Sequence, residues 1–195
     1  MKFKAVVFDL DGTLLDTLDD LADSMNSVLK KNGYPVHDTE AYKSFIGNGM
    51  RALVIRAFPE NMRDDVNVDI GLADMRDEYS RRWSNKTRPY NGMIETLEKL
   101  SDKNLKLCVL SNKADEFTKL MIKKFFPSQK FSLVYGERPG IPKKPDPQGA
   151  LEIAHKLGIM PSECLYLGDS GVDMQTAVSA GMYPVGVLWG FRKAE

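Results

Sequence analysis

The sequence contains few of the residues that build disulfide frameworks or zinc sites. Only two of its 195 residues are cysteine, and Cys108 and Cys164 each lie in an apolar, strand-like run, so we expect two buried free thiols. An excess of either charge is also lacking. The 27 lysines and arginines balance 27 aspartates and glutamates, without the basic surplus of a nucleic-acid-binding chain. No apolar run approaches the roughly 18–20 residues of a membrane span.

A secretory signal is not evident at the start of the chain. The first residues lead directly into a strand-like segment, with no separate apolar core and no cleavage site. We therefore expect a cytoplasmic protein with no nucleic-acid partner and no membrane partner. The content of hydrophobic residues, 43%, is typical of a folded chain, and 195 residues suffice for one domain that carries an insertion.

The segment 3–15, FKAVVFDLDGTLL, reads as a buried strand that ends in two carboxylates, Asp9 and Asp11. Its nearly continuous apolar run is typical of a strand that is covered on both faces. Open parallel sheets bind their ligands at the carboxyl ends of their strands. Asp-Gly is also a common turn, so this segment by itself leaves both interpretations open.

Residues 16–88 show only helical patterns. Helices are predicted after a cap at Thr17, over 38–46, over 50–58 and over 61–83, with no convincing strand among them. A turn signal at 89–92 then precedes a different pattern. We therefore predict a helical cap domain at 16–88, inserted into a core domain formed by 1–15 and 89–195.

From residue 93 onward, predicted strands and helices alternate strictly. The strands are expected at 105–110, 131–135, 164–167 and 184–188, and the helices at 93–100, 114–126, 148–157 and 172–180. Such alternation is typical of βαβ units with a parallel sheet, which predicts the α/β class.

Polar clusters follow four of the predicted strands, directly or after a loop. They are Asp9 with Asp11, Ser111 with Asn112, Lys143 with Lys144, and Asp169 with Ser170 and Asp173. Each cluster alone has a structural explanation, because such residues also cap helices or lie in solvated loops. All strands of a parallel sheet end at one edge, so the four clusters together predict a single site.

In combination, these clusters resemble the four motifs of the haloacid dehalogenase-like phosphohydrolases. The motifs read Asp9-Leu10-Asp11-Gly12-Thr13, then Ser111-Asn112, then Lys144-Pro145, then Gly168-Asp169-Ser170 with Asp173. The resemblance covers essentially the whole chain and implies a Rossmann-like three-layer core with an inserted helical cap. The subgroup that it resembles most is that of phosphoglycolate phosphatases and related small-molecule phosphatases.

The resemblance implies a role for each motif. Asp9 is expected to attack phosphorus and become an aspartyl-phosphate. Asp11 is expected to protonate the leaving oxygen and then to activate the hydrolytic water. Ser111, the backbone amide of Asn112, and Lys144 are expected to bind the phosphate. The second aspartate favours phosphoryl chemistry over dehalogenation.

A pocket with several carboxylates needs a cation before it accepts a phosphate dianion. Mg²⁺ prefers oxygen ligands, and the resemblance implies Asp9, the backbone carbonyl of Asp11, and Asp169 as its ligands. Asp173 is expected to act from outside this set, by orienting Lys144 or a metal-bound water.

Two further lysines, Lys113 and Lys143, lie beside the motifs. Lys113 follows the second motif directly, but the pattern fixes no role for it. Lys144 is preferred to Lys143 as the phosphate ligand because a proline follows it, as in the family's motif.

The break at residues 47–49 is the part of the cap that we expect to face the pocket. Asn48, Gly49 and Arg51 are therefore candidates for substrate selection, with Arg51 pairing with a substrate carboxylate. The alternative is a plain turn between two helices, with Arg51 in solvent.

The leading hypothesis is a Mg²⁺-dependent phosphatase of a small phosphorylated metabolite, with phosphoglycolate first. A sugar phosphomutase of the beta-phosphoglucomutase type, a pyrophosphatase, and a phosphate-binding regulatory module without turnover remain alternatives. Both a monomer and a homodimer remain open. Members of this subgroup usually continue with a further strand and helix beyond the point where this sequence ends.

Overall fold

A parallel sheet of five strands forms the centre of the structure, a computed structural model that describes residues 2–193. In chain order, the strands of the described part are β1 (Ala5–Phe8), β2 (Leu15–Asp16), β3 (Arg88–Pro89), β4 (Lys106–Ala114), β5 (Phe131–Glu137), β6 (Cys164–Gly168) and β7 (Tyr183–Gly186). The order across the sheet is β5-β4-β1-β6-β7, and every neighbouring pair is parallel.

The helices lie on both faces of this sheet and in the inserted segment, residues 16–88. They are α1 (Leu18–Lys31), α2 (Thr39–Phe45), α3 (Met50–Ala57), α4 (Asp65–Arg82), α5 (Met93–Asp102), α6 (Asp115–Phe125), α7 (Gln148–Leu157) and α8 (Gly171–Ser179). Leu97 of α5 and Met121 of α6 pack into one hydrophobic core, while Ile153 of α7 and Ala177 of α8 pack into another.

The central strand β1 shows why the fold has three layers. All four of its residues are buried, and their side chains alternate between the two cores. Val6 and Phe8 belong to the core under α5 and α6, whereas Ala5 and Val7 belong to the core under α7 and α8. The predicted α/β class, with a Rossmann-like three-layer core and a central parallel sheet, is confirmed.

The inserted segment is helical between its two ends, as predicted, but its longest helix begins later than expected. A 3₁₀ turn (Glu60–Met62) precedes α4, so the predicted helix over 61–83 is two elements. Asp64 caps α4, because its side chain accepts a hydrogen bond from the backbone N–H of Asn67 at 3.1 Å.

Two short strands within the predicted helical insertion were missed by the sequence analysis. Strands β2 and β3 pair antiparallel, with Leu15 opposite Pro89 and Asp16 opposite Arg88. The expectation of no strand from residue 16 to 88 is therefore wrong at both ends of that range. A strand of two residues has too few positions to show an alternating pattern.

A buried carboxylate fastens the returning chain beside this ribbon. Asp20, in the first turn of α1, is 1% exposed and accepts hydrogen bonds from the backbone N–H groups of Lys86 and Thr87 and from the Thr87 hydroxyl. The bonds to Thr87 measure 2.8 Å. Both ends of the inserted segment are thus held at one place.

The two cysteines, which were expected to be buried free thiols, lie in strands β4 and β6 of the central sheet. Cys108 and Cys164 are free and buried, which confirms that prediction. Within residues 2–193, no helix combines the length and the hydropathy that crossing a membrane requires.

Candidate active site

Three carboxylates meet at the carboxyl ends of β1 and β6. Asp9 follows β1 directly, and its backbone N–H donates to the carbonyl of Leu167 at 2.9 Å. Asp169 follows β6, and Asp173 lies in the first turn of α8. One oxygen from each of the three aspartates lies within 4.8 Å of the other two.

Lys144 supplies a positive charge to this cluster. Its Nζ lies 2.9 Å from Asp9 Oδ1 and 2.7 Å from Asp173 Oδ1, and its side chain is 4% exposed. Its backbone is held by Asn112, whose Oδ1 accepts from the Lys144 N–H at 2.8 Å and whose Nδ2 donates to the Lys144 carbonyl at 3.0 Å. Lys143 instead pairs with Glu137 at the surface, 3.2 Å away.

The cluster contains more negative than positive charge, because three carboxylates surround one ammonium group. Burial raises the pKa of Asp9 to about 7, and the neighbouring Asp173 and Asp169 add to this effect while Lys144 opposes it. Burial also raises the pKa of Asp169. Burial alone would lower the pKa of Lys144, but the carboxylates of Asp173 and Asp9 outweigh it and raise that pKa well above its usual value.

This donor set fits a divalent cation. Three carboxylates face one ammonium group, so a cation among them would relieve their mutual repulsion and favour their ionised forms. All the donors are oxygen atoms, the ligands that hard cations such as Mg²⁺ or Ca²⁺ prefer.

Local structure fixes the orientation of the two later aspartates. Asp173 Oδ2 accepts from the Ser170 N–H at 3.2 Å, in a capping box at the start of α8. Asp169 Oδ2 accepts from the Phe191 N–H at 2.7 Å. The backbone also approaches these aspartates closely, because a Cβ at Gly168 would overlap Asp173 and a Cβ at Gly190 would overlap Asp169.

Asp11 lies apart from the three-carboxylate cluster and has its own cation. Lys113 Nζ lies 3.0 Å from Asp11 Oδ1 and 3.2 Å from Oδ2, and the Thr17 hydroxyl donates to Oδ1 at 2.8 Å. The same ammonium lies over the ring of Tyr79 in α4, 4.7 Å from its centroid. Burial would lower the pKa of Lys113, but Asp11 reverses the effect and raises it.

The second motif lies within a strand, where a position after the strand was expected. The prediction ended that strand at residue 110, whereas β4 runs to Ala114 with an irregular register against β5 beyond Leu110. Ser111 is buried, and its Oγ accepts from the Lys113 N–H at 3.3 Å.

A cavity of about 40 Å³ separates the motifs from the inserted segment. On the core side its wall contains Asp9, Asp11, Ser111, Asn112 and Lys113. On the other side it is mainly apolar, with Leu21, Ile46, Met50 and Leu53.

The loop 47–49 borders this cavity, as expected, but only part of the candidate set faces it. Gly47 and Gly49 line the cavity, whereas Asn48 and Arg51 do not. Asn48 Oδ1 accepts from Arg56 Nη2 at 2.9 Å. The carbonyl of Gly47 accepts from Asn112 Nδ2 at 3.1 Å, so the loop contacts the core directly.

Arg51 points away from the expected substrate site. Its guanidinium pairs with Asp65, at 2.7 Å, and with Asp69, both from α4. These two acids lie one helical turn apart, so each can bind one of the two terminal nitrogens of the guanidinium group. The expectation that Arg51 would reach into the pocket is therefore not met in this structure.

Three residues of the site were given no catalytic role by the sequence analysis. Thr17 was assigned as a helix cap, but its hydroxyl donates to Asp11 and makes no cap bond. Lys113 was named without a role, and Tyr79 was not singled out within the predicted helix over 61–83. The position of Lys113 directly after the second motif was the one available signal.

Known proteins that are similar to this chain show its family. The family model of the haloacid dehalogenase-like hydrolases matches residues 6–187. The chain belongs to this family. The matched range of this haloacid dehalogenase-like hydrolase includes all four motifs, from Asp9 to Asp173.

Individual relatives of this haloacid dehalogenase-like hydrolase carry a more specific name. The phosphoglycolate phosphatase of Thiobacillus denitrificans is 32% identical over 198 residues, which cover 100% of this chain and 87% of that protein. That of Pseudomonas syringae pv. tomato is 32% identical over 192 residues, 96% of this chain and 70% of that protein. A predicted phosphoglycolate phosphatase from Haemophilus somnus 129PT superposes with a TM-score of 0.91 at 31% identity, covering 97% and 87% of the two chains.

Proposed function

We propose that this hydrolase acts on phosphoric monoesters and that its substrate is a small phosphorylated metabolite, phosphoglycolate first. The observation that carries the proposal is the arrangement of Asp9, Asp169, Asp173 and Lys144 at one sheet edge. The phosphoglycolate phosphatases related to this chain support the choice of substrate.

In this proposal Asp9 is the nucleophile. One of its carboxylate oxygens attacks phosphorus, the bond from phosphorus to the leaving oxygen breaks, and an aspartyl-phosphate forms. Lys144 balances the charge of Asp9 at 2.9 Å and is positioned to contact a phosphoryl oxygen, while Ser111 and the Asn112 amide bind the other oxygens.

Asp11 is the proposed acid and base. It gives a proton to the leaving oxygen as the first bond breaks and later takes a proton from the water that hydrolyses the aspartyl-phosphate. Thr17 and Lys113 hold its carboxylate beside the cavity.

Mg²⁺ is the proposed metal, held by Asp9, Asp169 and the backbone carbonyl of Asp11. When bound, such an ion neutralises charge on the phosphoryl oxygens and so lowers the barrier to attack. Asp173 is proposed to support this set indirectly, since its Oδ1 is bonded to Lys144 and its Oδ2 to Ser170.

The inserted segment, residues 16–88, is proposed to be a cap domain over a core domain formed by 1–15 and 89–195. Its apolar wall and loop 47–49 close the cavity over the motifs and exclude water from the reaction.

The test is release of inorganic phosphate from a panel of small phosphomonoesters and pyrophosphate, with Mg²⁺ and with EDTA. We expect Mg²⁺-dependent release that is strongest for phosphoglycolate. Weak release spread over sugar phosphates would contradict the substrate, and preference for pyrophosphate would contradict the monoester class. Isomerisation of a sugar phosphate without phosphate release would identify a mutase.

Binding of phosphate without turnover of any compound would contradict the enzyme assignment and favour a regulatory module. The matched control is Asp74→Asn, since Asp74 forms an exposed ion pair with Lys31 far from the motifs in sequence. Asp169→Asn should lose the response to Mg²⁺, and Asp74→Asn should keep it.

A further inference from the structure

Lys113 is the only cationic side chain among the described residues that line the cavity. Lys144 pairs with Asp9 and Asp173 and is not among the lining residues, and Arg51 is bound to α4. Lys113 instead lines the cavity next to Asp11, and 5% of its side chain is exposed. Among the side chains of this lining, Lys113 is therefore the positive charge that a substrate meets beyond the phosphate site.

The contact between Lys113 and Asp11 indicates where the Lys113 ammonium lies relative to a bound substrate. Asp11 must contact the ester oxygen of the substrate if it is the acid, and Lys113 Nζ lies 3.0 Å from Asp11 Oδ1. A group bound to Lys113 therefore lies next to the ester oxygen. In a phosphorylated 2-hydroxy acid, one carbon atom separates the ester oxygen from the carboxylate, which matches this close spacing.

The side chains of the opposite wall offer no hydrogen bond to an anion. Leu21, Met50 and Leu53 are apolar, so a carboxylate against them would lose its water without gaining a hydrogen bond. The ring of Tyr79 underlies the ammonium at 4.7 Å and restricts its movement.

We propose that Lys113 binds an anionic group on the leaving portion of the substrate and thereby selects phosphorylated 2-hydroxy acids over phosphorylated neutral alcohols. This inference rests on the proposed function and deepens it. The selectivity thus originates in the core strand β4, with the loop 47–49 shaping the opposite wall.

The test compares two substrates in which only the distal group differs. These are 2-phosphoglycolate, with a carboxylate, and 2-hydroxyethyl phosphate, with a neutral hydroxyl. The quantity measured is the ratio of their kcat/KM values, because a general loss through misplacement of Asp11 cancels in this ratio. Lys113→Met should lower the ratio by about 10- to 100-fold, the range typical of a lost hydrogen bond between charged groups.

Two further variants serve as a conservative substitution and as a control. Lys113→Arg should retain part of the ratio because the charge remains. Lys119→Met should leave it unchanged, since Lys119 is an exposed lysine that pairs with Asp115 on α6. An equal loss on both substrates in Lys113→Met would overturn the proposal and make Lys113 a positioning residue for Asp11 only.

A binding measurement separates this inference from the proposed reaction. Calorimetric titration of Asp9→Asn with each phosphate ester, with and without Lys113→Met, reports the same preference in the absence of turnover. Failure of the wild-type protein to hydrolyse any ester would defeat the proposed function, while the calorimetry would still decide the role of Lys113. Equal hydrolysis and equal binding of both esters would leave a phosphatase and overturn the inference.

Discussion

Lys144 and Asp173 form a fully buried ion pair, with 2.7 Å between Nζ and Oδ1 and side chains that are 4% and 0% exposed. The same ammonium contacts Asp9 at 2.9 Å. Because two carboxylates share one lysine, the pair stabilises the very group that is proposed to attack phosphorus. The stability of this region and its chemistry therefore depend on a single side chain.

Lys144→Met should destabilise the protein strongly. The substitution leaves Asp9 and Asp173 buried without their cation, and breaking a buried pair in this way typically costs about 3–5 kcal/mol. Urea denaturation without metal measures this change in the free energy of unfolding. Mg²⁺ should restore part of the loss, because a bound cation replaces some of the missing charge.

The control for this prediction is the neighbouring lysine. Lys143→Met removes a partly exposed pair with Glu137, so its effect should stay within about 1 kcal/mol. Equal effects at the two positions would show that burial of the Lys144 pair does not determine its importance.

Asp9→Asn should abolish phosphate release, with a loss of at least about 10³-fold in kcat, because an amide cannot replace the proposed nucleophile. The fold should persist. Lys144 keeps its bond to Asp173, and the new side chain removes one of three adjacent negative charges. Steady-state kinetics and circular dichroism measure the two quantities, and substantial residual turnover in a correctly folded variant would rule out Asp9 as the nucleophile.

Gly168→Ala should impair both folding and activity, because the added Cβ would overlap Asp173. Thermal unfolding and kcat should both fall. Gly171→Ala is the matched control three residues later, where a Cβ meets no atom within 4 Å and alanine suits the first turn of α8. A harmless Gly168→Ala would contradict the close packing of backbone against Asp173.

Asp20→Ala should loosen the junction of the inserted segment. The substitution removes the acceptor for two backbone N–H groups and for the Thr87 hydroxyl, at about 1–3 kcal/mol for each buried group that stays unpaired. Asp19→Ala, one residue earlier in the same helical turn, is the control. Urea denaturation should separate the two variants, and equal midpoints would contradict a structural role for Asp20.

The elements that carry strong local patterns were predictable from the sequence. The helix α7, with an apolar face and a closing glycine, has its predicted bounds, and β1 was evident from its apolar run. The grouping of Asp9 with Asp169 and Asp173 followed from a general rule, since parallel strands end at one edge of the sheet.

Features that depend on contacts between distant segments were not predictable. The direction of Arg51 is decided by two acids on another helix, and nothing near it in the sequence reveals that competition. Lys113 is similar, because its role depends on Asp11 and Tyr79, each more than 30 positions away in the chain. The conformations of such side chains are determined by partners that are distant in sequence and become neighbours only in the folded protein.

The β2–β3 ribbon determines how easily the inserted segment can be replaced during evolution or by protein engineering. Leu15–Asp16 and Arg88–Pro89 lie side by side, so the excursion between them leaves and rejoins the core within one strand spacing, about 4.8 Å. Because its two ends are adjacent, the inserted segment can be replaced by a segment of another length without altering the register of the central sheet. A different segment grafted at this junction would keep Asp9, Lys144 and Lys113 of the core, but it would have to replace the opposite wall together with Thr17 and Tyr79, which contact Asp11 and Lys113.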